Sequence, residues 1–448
     1  MEAPSLIEEI RFGYGPRRGY EVSPGGLEPD RLLAQLTADD PAAAVWNRPS
    51  MADRMTELVQ MRDDKMAGMD VKPKARQSSA SMDLKKIEQG DAATFFARPA
   101  VATLGFVERL VNLWANRITV SNTSQGVGHH TQTFRDEAIR LNIAGRYADM
   151  LKATLWHPAM QVYLTQTDSI GPNSRVGLRK GKGLNENLAR EFLELHSMGK
   201  GYTQTDVTEL AKLLAGMVHD QNGPHVEKGR AEPGEKHILG QTYGEGKGQI
   251  NALVEDVAHR PETAAAVAFF LARHFIADSP PPDLVQGLTA TYLAEDTALV
   301  PLYRTLLQHP SAADPNRRKI RSPQEFAVAS LRLMGLDGME KGMLGFNKTS
   351  MMVPVYLANM GQQPFKPLRP DGWPEVASGW MTPPMVASRI DWATDLARAT
   401  GDRVDPVALI DFALGDMASP LLRRAVAGAE QRWEGLAVLI ASPDFSRR

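Results

Sequence analysis

Asn185-Glu-Asn-Leu-Ala-Arg-Glu-Phe-Leu-Glu-Leu-His-Ser-Met-Gly199 reads as an amphipathic helix. At about 100° per residue, Glu186, Asn187, Arg190, Glu191 and Glu194 fall within one sector of about 140°. Leu188, Ala189, Phe192, Leu193 and Leu195 fill the opposite side. A helix of this kind buries one stripe and leaves a charged face. Asn185 is placed to cap its start. Thr203-Gln-Thr-Asp206 is a capping box that opens the next helix and fixes the intervening Gly199–Tyr202 turn.

The same three- and four-residue spacing recurs over Leu104 to Val111, Ala138 to Leu155, Val207 to Met217, Ala264 to Phe275, Phe326 to Met334, Met385 to Leu396 and Gly435 to Ile440. Strand-like alternation is confined to His237 to Tyr243. The expectation is an all-α, multi-helical, bundle-like protein with at most one small β-hairpin near 237–243. Four junctions, at His157-Pro158, Arg260-Pro261, His309-Pro310 and Ser442-Pro443, each end one helix and start another. A His at such a junction could face the negative end of the preceding helix. Val71 to Met82, Ser169 to Gly183, His219 to Gly248 and Gly361 to Pro384 read as loops. The third divides the chain into an N-terminal helical half, 1–218, and a C-terminal half, 249–448, with 219–248 as a Gly-rich loop between them.

Composition narrows the chemistry. Lys plus Arg is 51 and Asp plus Glu is 53, a net charge of −2 that gives no field to draw in nucleic acid. There is no cysteine, which excludes disulfides, thiolate metal sites and Cys nucleophiles. The opening MEAPSLIEEIRFGYGP is acidic where an export signal needs a basic start, so the chain as written reads as cytoplasmic. The longest apolar run, near Ala264 to Ala272, is far short of the roughly 20 residues of a membrane span.

Two readings compete for the signature helix. Glu186, Arg190 and Glu194 form an i, i+4, i+8 ladder in which Arg190 can pair with both carboxylates, a structural ion-pair face. Set in a cleft, Glu186, Arg190, Glu191 and Glu194 become candidate catalytic residues, one carboxylate acting as general base. Arg175-Val-Gly-Leu-Arg-Lys-Gly-Lys-Gly183 is basic and Gly-rich. With Asn173, Arg175, Arg179, Lys182, Asn185 and Asn187 it forms a candidate binding site for an anionic group, against a bland reading as a solvated basic loop. Trp373 and Trp380 are candidate stacking aromatics, or a plug between helices. His196 falls on the apolar face and reads as a core histidine. His129 and His130 are adjacent and point apart, and no His-Glu-x-x-His occurs, so no metal site and no cofactor is expected. No Gly-x-Ser-x-Gly elbow or dinucleotide fingerprint is present.

The run Asn185 to Gly199, followed by Gly201-Tyr-Thr-Gln-Thr-Asp-Val207 and preceded by Ser169-Ile-Gly-Pro-Asn-Ser-Arg-Val-Gly177, resembles the bacterial family called domain of unknown function 1800. Arg11-Phe-Gly-Tyr-Gly-Pro16, Pro233 to Gly240, Lys319 to Phe326 and Gly361 to Pro374 resemble its other blocks, so the likeness covers most of the chain. It implies a mostly helical fold, an exported periplasmic setting as the alternative location, and an alkaline-phosphatase-like partner protein. It implies no agreed reaction. Where the family commonly has Trp-His-Asn-His-Phe, this chain has Trp114-Ala-Asn-Arg-Ile118. The leading expectation is an accessory or binding protein with a polar cleft at the signature helix that accepts an anionic group or partner. The alternative is a hydrolase or lyase using the Glu/Arg cluster.

Overall fold

In the computed structural model, residues 6–20, 22, 26–41, 48–56, 87, 89–122, 130–181, 183–220, 223–335 and 352–448 are described. The expected loop at Val71 to Met82, as well as His129 and Lys182, lie outside them. The protein is mostly α-helical with two small antiparallel hairpins. The second, β3 (Lys236–Ile238) and β4 (Gln241–Tyr243), is the expected one. Its turn residues Leu239 and Gly240 both have positive φ, 52° and 82°, as a two-residue hairpin turn requires. Asp206 of the capping box reaches across to accept from the Leu239 N–H at 2.6 Å and so pins the turn. The first hairpin, β1 (Met217–Asp220) with β2 (Gly223–Val226), was not expected. Its four residue pairs lack a clean apolar alternation, which is why the sequence hid it.

Two apolar cores build the molecule. One joins the Gly105–Arg117, Tyr147–Trp156, Gln204–Leu214, Lys247–Ala258, Pro261–Phe275, Pro282–Ala294 and Leu299–Gln308 helices. It therefore runs continuously on both sides of the 219–248 segment. The other joins Pro323–Leu333, Pro383–Thr400, Pro406–Leu414, Pro420–Ala427 and Arg432–Ala441. The Ile7–Arg11 helix straddles them: Phe12 packs in the first core, Ile10 and Tyr14 in the second. Among the described residues no helix is long and apolar enough to cross a membrane.

The Pro junctions behave as their backbone chemistry dictates. His157, Arg260, His309 and Ser442 are all extended, with ψ between 131° and 152°. His157 and His309 face forward, whereas His259 turns back to the helix it ends, its Nδ1 meeting Glu255 O at 2.8 Å as expected. His157 Nδ1 accepts from the Ala159 N–H at 3.1 Å and His309 Nδ1 from the Ser311 N–H at 3.2 Å. They cap the following helix instead of neutralising the preceding one. The Ala138 to Leu155 run is also not one helix. A π-helical turn, Arg135–Ile139, and a 3₁₀ turn, Arg140–Asn142, precede Gly145. Arg146 then leaves the helical region to bridge Ala298 before Tyr147–Trp156 begins.

Buried arginines fasten distant segments by donating to backbone carbonyls. Arg11 donates to Ala312 O at 2.7 Å and Ser311 O at 3.1 Å. Arg332 donates to Gly15 O at 2.9 Å, Ala102 O at 2.7 Å and Pro99 O at 3.3 Å. Arg321 donates to Phe445 O at 2.8 Å. Such carbonyls need a partner once out of water, and the planar guanidinium reaches several at once.

Candidate functional site

The two cores meet at a polar cavity of about 70 Å³. Each wall has a local reason for its position. Gly105–Arg117 contributes Asn112, Ala115 and Asn116. The π-helical turn contributes Arg135 at its first residue, and such turns insert a residue that re-aims side chains, often at functional sites. Pro261–Phe275 delivers His274 from its last turn. Ser322-Pro-Gln-Glu325 is a capping box, Ser322 Oγ accepting from Glu325 N–H at 3.3 Å and Glu325 Oε2 from Ser322 N–H at 2.9 Å. The box sets Glu325 at the mouth of a helix that is buried all round.

Glu325 is the electrostatic hub. Burial alone would raise its pKa, but Arg109 and then Arg448 reverse this and hold it far below the ordinary carboxylate range. Arg448 Nε donates to Glu325 Oε2 at 2.8 Å, and Arg109 donates to the other oxygen. Arg109 also meets His274 Nε2 at 3.0 Å, while His274 Nδ1 meets Glu375 Oε2 at 2.9 Å. His274 is pushed down to about 4, chiefly by burial, so it is neutral at pH 7. With Nδ1–H donated to Glu375, its Nε2 accepts from Arg109. Both ring nitrogens are thus committed.

Arg135 is different. Enclosed by protein, it still keeps surface turned to the cavity it lines. It donates to Asn112 Oδ1, and Asn112 donates in turn to the Tyr14 hydroxyl. Among the described residues no carboxylate pairs with it. Its Cζ lies 5.4 Å from the Phe95 ring and 5.8 Å from Phe365, which form an edge-to-face corner 5.1 Å apart. Phe365 takes φ 56°, a strained value for an aromatic residue. Its carbonyl accepts from Asn122 N–H at 2.6 Å, which holds it there. Burial, then Arg140, lowers the Arg135 pKa to about 10.

The Pro- and Trp-rich segment forms the outer wall. Asn116 clamps it, accepting from Trp373 N–H at 2.6 Å and donating to Trp373 O at 3.1 Å and Glu375 Oε1 at 2.8 Å. Gly372, at φ 80°, lies so close that a Cβ there would sit 2.4 Å from Asn116 O. Trp380 is buried and Trp373 partly so, their rings 6.3 Å apart. On the far side of this wall lies a wider groove of about 470 Å³, sharing Trp373, Pro374, Glu375 and Trp380 and rimmed by Asp371, Arg273 and Leu368. The tryptophans are thus a partition between two hollows.

The other residues singled out from the sequence line neither hollow. Glu186 is saturated: Thr208 Oγ1 donates at 2.7 Å, Gln204 Nε2 at 2.9 Å and Arg190 Nη2 at 3.2 Å. These bonds, that of Thr208 first, lower its pKa. Among the described residues Arg190 pairs with Glu186 and not with Glu194, because the helix changes to a π-helical turn at Phe192–His196 and the ladder register is lost. Glu194 is exposed and meets the Tyr202 hydroxyl. Asn185 caps as expected, its Oδ1 accepting from Asn187 N–H at 3.0 Å, and its amide donates to Leu164 O and Thr165 O. The Asn187 side chain is exposed. Arg175 to Lys180 is a helix rather than a loop. Ser174 Oγ accepts from Gly177 N–H at 3.0 Å and Val176 N–H donates to Gly229 O, so these amides are already engaged. Arg175 and Arg179 point to solvent, and Asn173 is tied to Glu232. His196 is buried, and burial pushes its pKa down to about 3. Arg117, at a position where histidine was expected from the resemblance, donates to Ser197 O at 3.0 Å and so secures the end of the signature helix.

Glu191 alone keeps chemical interest there. Burial, with the Glu194 and Asp371 charges, pushes its pKa up to about 7 against the opposing Arg190. A carboxyl raised this way favours the folded state most below pH 4.5 and loses that advantage as pH climbs toward 7. Glu191→Gln is therefore expected to match the parent at pH 4 and exceed it in stability at pH 8 by about 1–2 kcal/mol after solvent screening. Urea unfolding at the two pH values measures this; equal stability at pH 8 refutes it.

Sequence reasoning also missed Glu255, His259 and Asp296, whose donor atoms lie within 4.8 Å of one another. Only the i, i+4 spacing of the first two was visible. Arg146 and Lys152 already pair with the carboxylates, and His259 Nε2 meets Asp296 Oδ1 at 2.6 Å. This trio reads as an ion-pair network.

Fold and site together define an all-α protein with a cation-lined cavity at the seam of two helical cores. The chain belongs to the family described as "Protein of unknown function (DUF1800)", whose model matches residues 9–447. No curated protein and no solved structure matches it.

Proposed function

We propose that this chain is a binding protein that accepts a small anion in the cavity at the seam of its two cores. One observation carries the reading: Arg135 is a half-buried cation facing the cavity that, among the described residues, has no carboxylate partner and has N–H groups left over for a ligand. An isolated buried charge is costly to keep, and sites that bind ligands retain such costs. The expected anionic group is thus sought at Arg135, away from the signature helix.

The test is calorimetric titration of the purified chain with sodium acetate, phosphate, sulfate and chloride. At least one of the first three binds, and Arg135→Gln weakens it at least tenfold. Without added anion, Arg135→Gln is expected to be more stable than the parent by about 1–2 kcal/mol, because it removes the uncompensated charge. Identical titration profiles in parent and variant would end the reading.

The hydrolase or lyase alternative draws support from Glu191, whose carboxyl is half-buried and titrates near pH 7. Asp371, whose charge helps raise that value, stands at the rim of the outer groove, so a substrate would have to extend beyond that groove to reach Glu191. A bell-shaped pH profile lost in Glu191→Gln is the signature sought in an ester and glycoside hydrolysis screen.

A further inference from the structure

We propose that the cavity takes a short-chain monocarboxylate and not a tetrahedral oxyanion such as phosphate; this rests on the anion-site reading just given. Charge is the first argument. Arg135, Lys319, Arg448 and the Glu325-bound Arg109 stand against Glu325, Glu375 and the Lys319-bound Asp278, and His274 is neutral. One positive charge is left over. A monoanion cancels it, whereas a dianion leaves a buried negative charge behind.

Hydrogen-bond capacity is the second. Most polar groups of the wall are already engaged. Lys319 is bonded to Asp278 and the Glu375 carbonyl, Asn116 to the 373–375 segment, and Asn112 to Arg135 and Tyr14. The Gln324 amide nitrogen donates to Phe95 O. The donors still offered include those of Arg135, the Gln362 amide nitrogen, whose oxygen accepts from Gln324 N–H at 2.8 Å, and Arg448 Nη2. A guanidinium fork and one amide satisfy the two oxygens of a carboxylate. Four phosphate oxygens ask for more donors than the two of a carboxylate, and each unmet lone pair in a buried site costs binding.

Size and lining are the third. A volume of about 70 Å³, where one water needs about 10–15 Å³ on the same measure, holds roughly five to seven non-hydrogen atoms. Beside Arg135 the wall is apolar, formed by Phe95, Phe134, Phe365, Ala115 and Val120. A carboxylate with a tail of two or three carbons covers both the fork and this apolar side. Phosphate offers nothing to the rings.

The experiment titrates the full chain with sodium butyrate, sodium acetate and sodium phosphate at matched ionic strength, by calorimetry and by ligand-observed NMR. Butyrate is expected to bind at least tenfold tighter than phosphate, with acetate between them. Arg135→Gln abolishes butyrate binding. Ala115→Leu, which fills the apolar side and leaves Arg135 in place, excludes butyrate more than acetate, and so reads the site even if Arg135→Gln folds poorly. Tighter binding of phosphate that depends on Arg135 would overturn the carboxylate assignment and leave the anion site standing. No binding of any of the three, or binding indifferent to both substitutions, would overturn both.

Discussion

Glu325→Gln is expected to lower the unfolding free energy by about 3–5 kcal/mol, the cost of stranding buried charges. The Gln oxygen can still accept from Ser322 N–H, so the capping box survives and the loss is electrostatic. Arg109 and Arg448 are left without the carboxylate that both share. Adding Arg109→Met should recover part of the loss, because one of the stranded cations goes too. The pH dependence follows from the depressed pKa. A lowered carboxyl stabilises the fold above its unfolded value of about 4.5 and surrenders that stability as pH falls below it. The parent therefore weakens on acidification through that range, and the variant, with no carboxyl there, weakens less. Urea titrations from pH 7 down to 3 measure both effects. A variant within 1 kcal/mol of the parent at pH 7 contradicts the hub assignment.

The second large effect is expected at Arg332. Its guanidinium satisfies carbonyls of Gly15, Pro99 and Ala102, which lie in two segments far from Arg332 in sequence. Arg332→Ala orphans them in a dry interior, at about 1–3 kcal/mol each, and a total loss of about 3–5 kcal/mol is expected after relaxation. Arg332→Lys, with one compact ammonium, should recover less than half, because it cannot span the three acceptors. Hydrogen exchange offers a sharper readout. Amides around Ile10 to Tyr14 should lose protection before those of the Gly105–Arg117 helix. Uniform loss across both would show that Arg332 is not a local clamp.

The helices were legible because burial imposes a 3.6-residue period, and the Pro junctions because proline chemistry is local. The signature helix was read correctly to Glu191 and misread beyond it. A π-helical turn has no residue signature, and it rotates Glu194 out of the ladder with Arg190. The basic segment was taken for a loop on account of its glycines, yet Ser174 caps a helix there and Gly177 is needed where a Cβ would lie 2.2 Å from Gly171 O. The cavity was the least visible feature. Its walls come from residues as far apart as Tyr14 and Arg448, and no window of sequence holds them together. Two local clues existed: Glu325 completes a capping box yet opens a helix with an apolar Phe326–Ala329 run, and Arg135 directly follows Thr133-Phe134 in a buried stretch. The two tryptophans were visible in the sequence, but what they separate required the tertiary structure.

The straddling of both cores by the Ile7–Arg11 helix bears on how the protein is made. Its closest fastenings, to Ala312 through Arg11 and from Arg332 to Gly15, span some three hundred residues of chain. During synthesis, at about 5–20 residues per second, the early helix waits about 15–60 seconds before those partners emerge. Through that interval Ile10, Phe12 and Tyr14 have only early partners such as Phe95 and Phe106 and lack the rest of their cores, so nascent-chain chaperones have a defined apolar target. The seam that houses Arg135 is consequently among the last parts of the molecule to close.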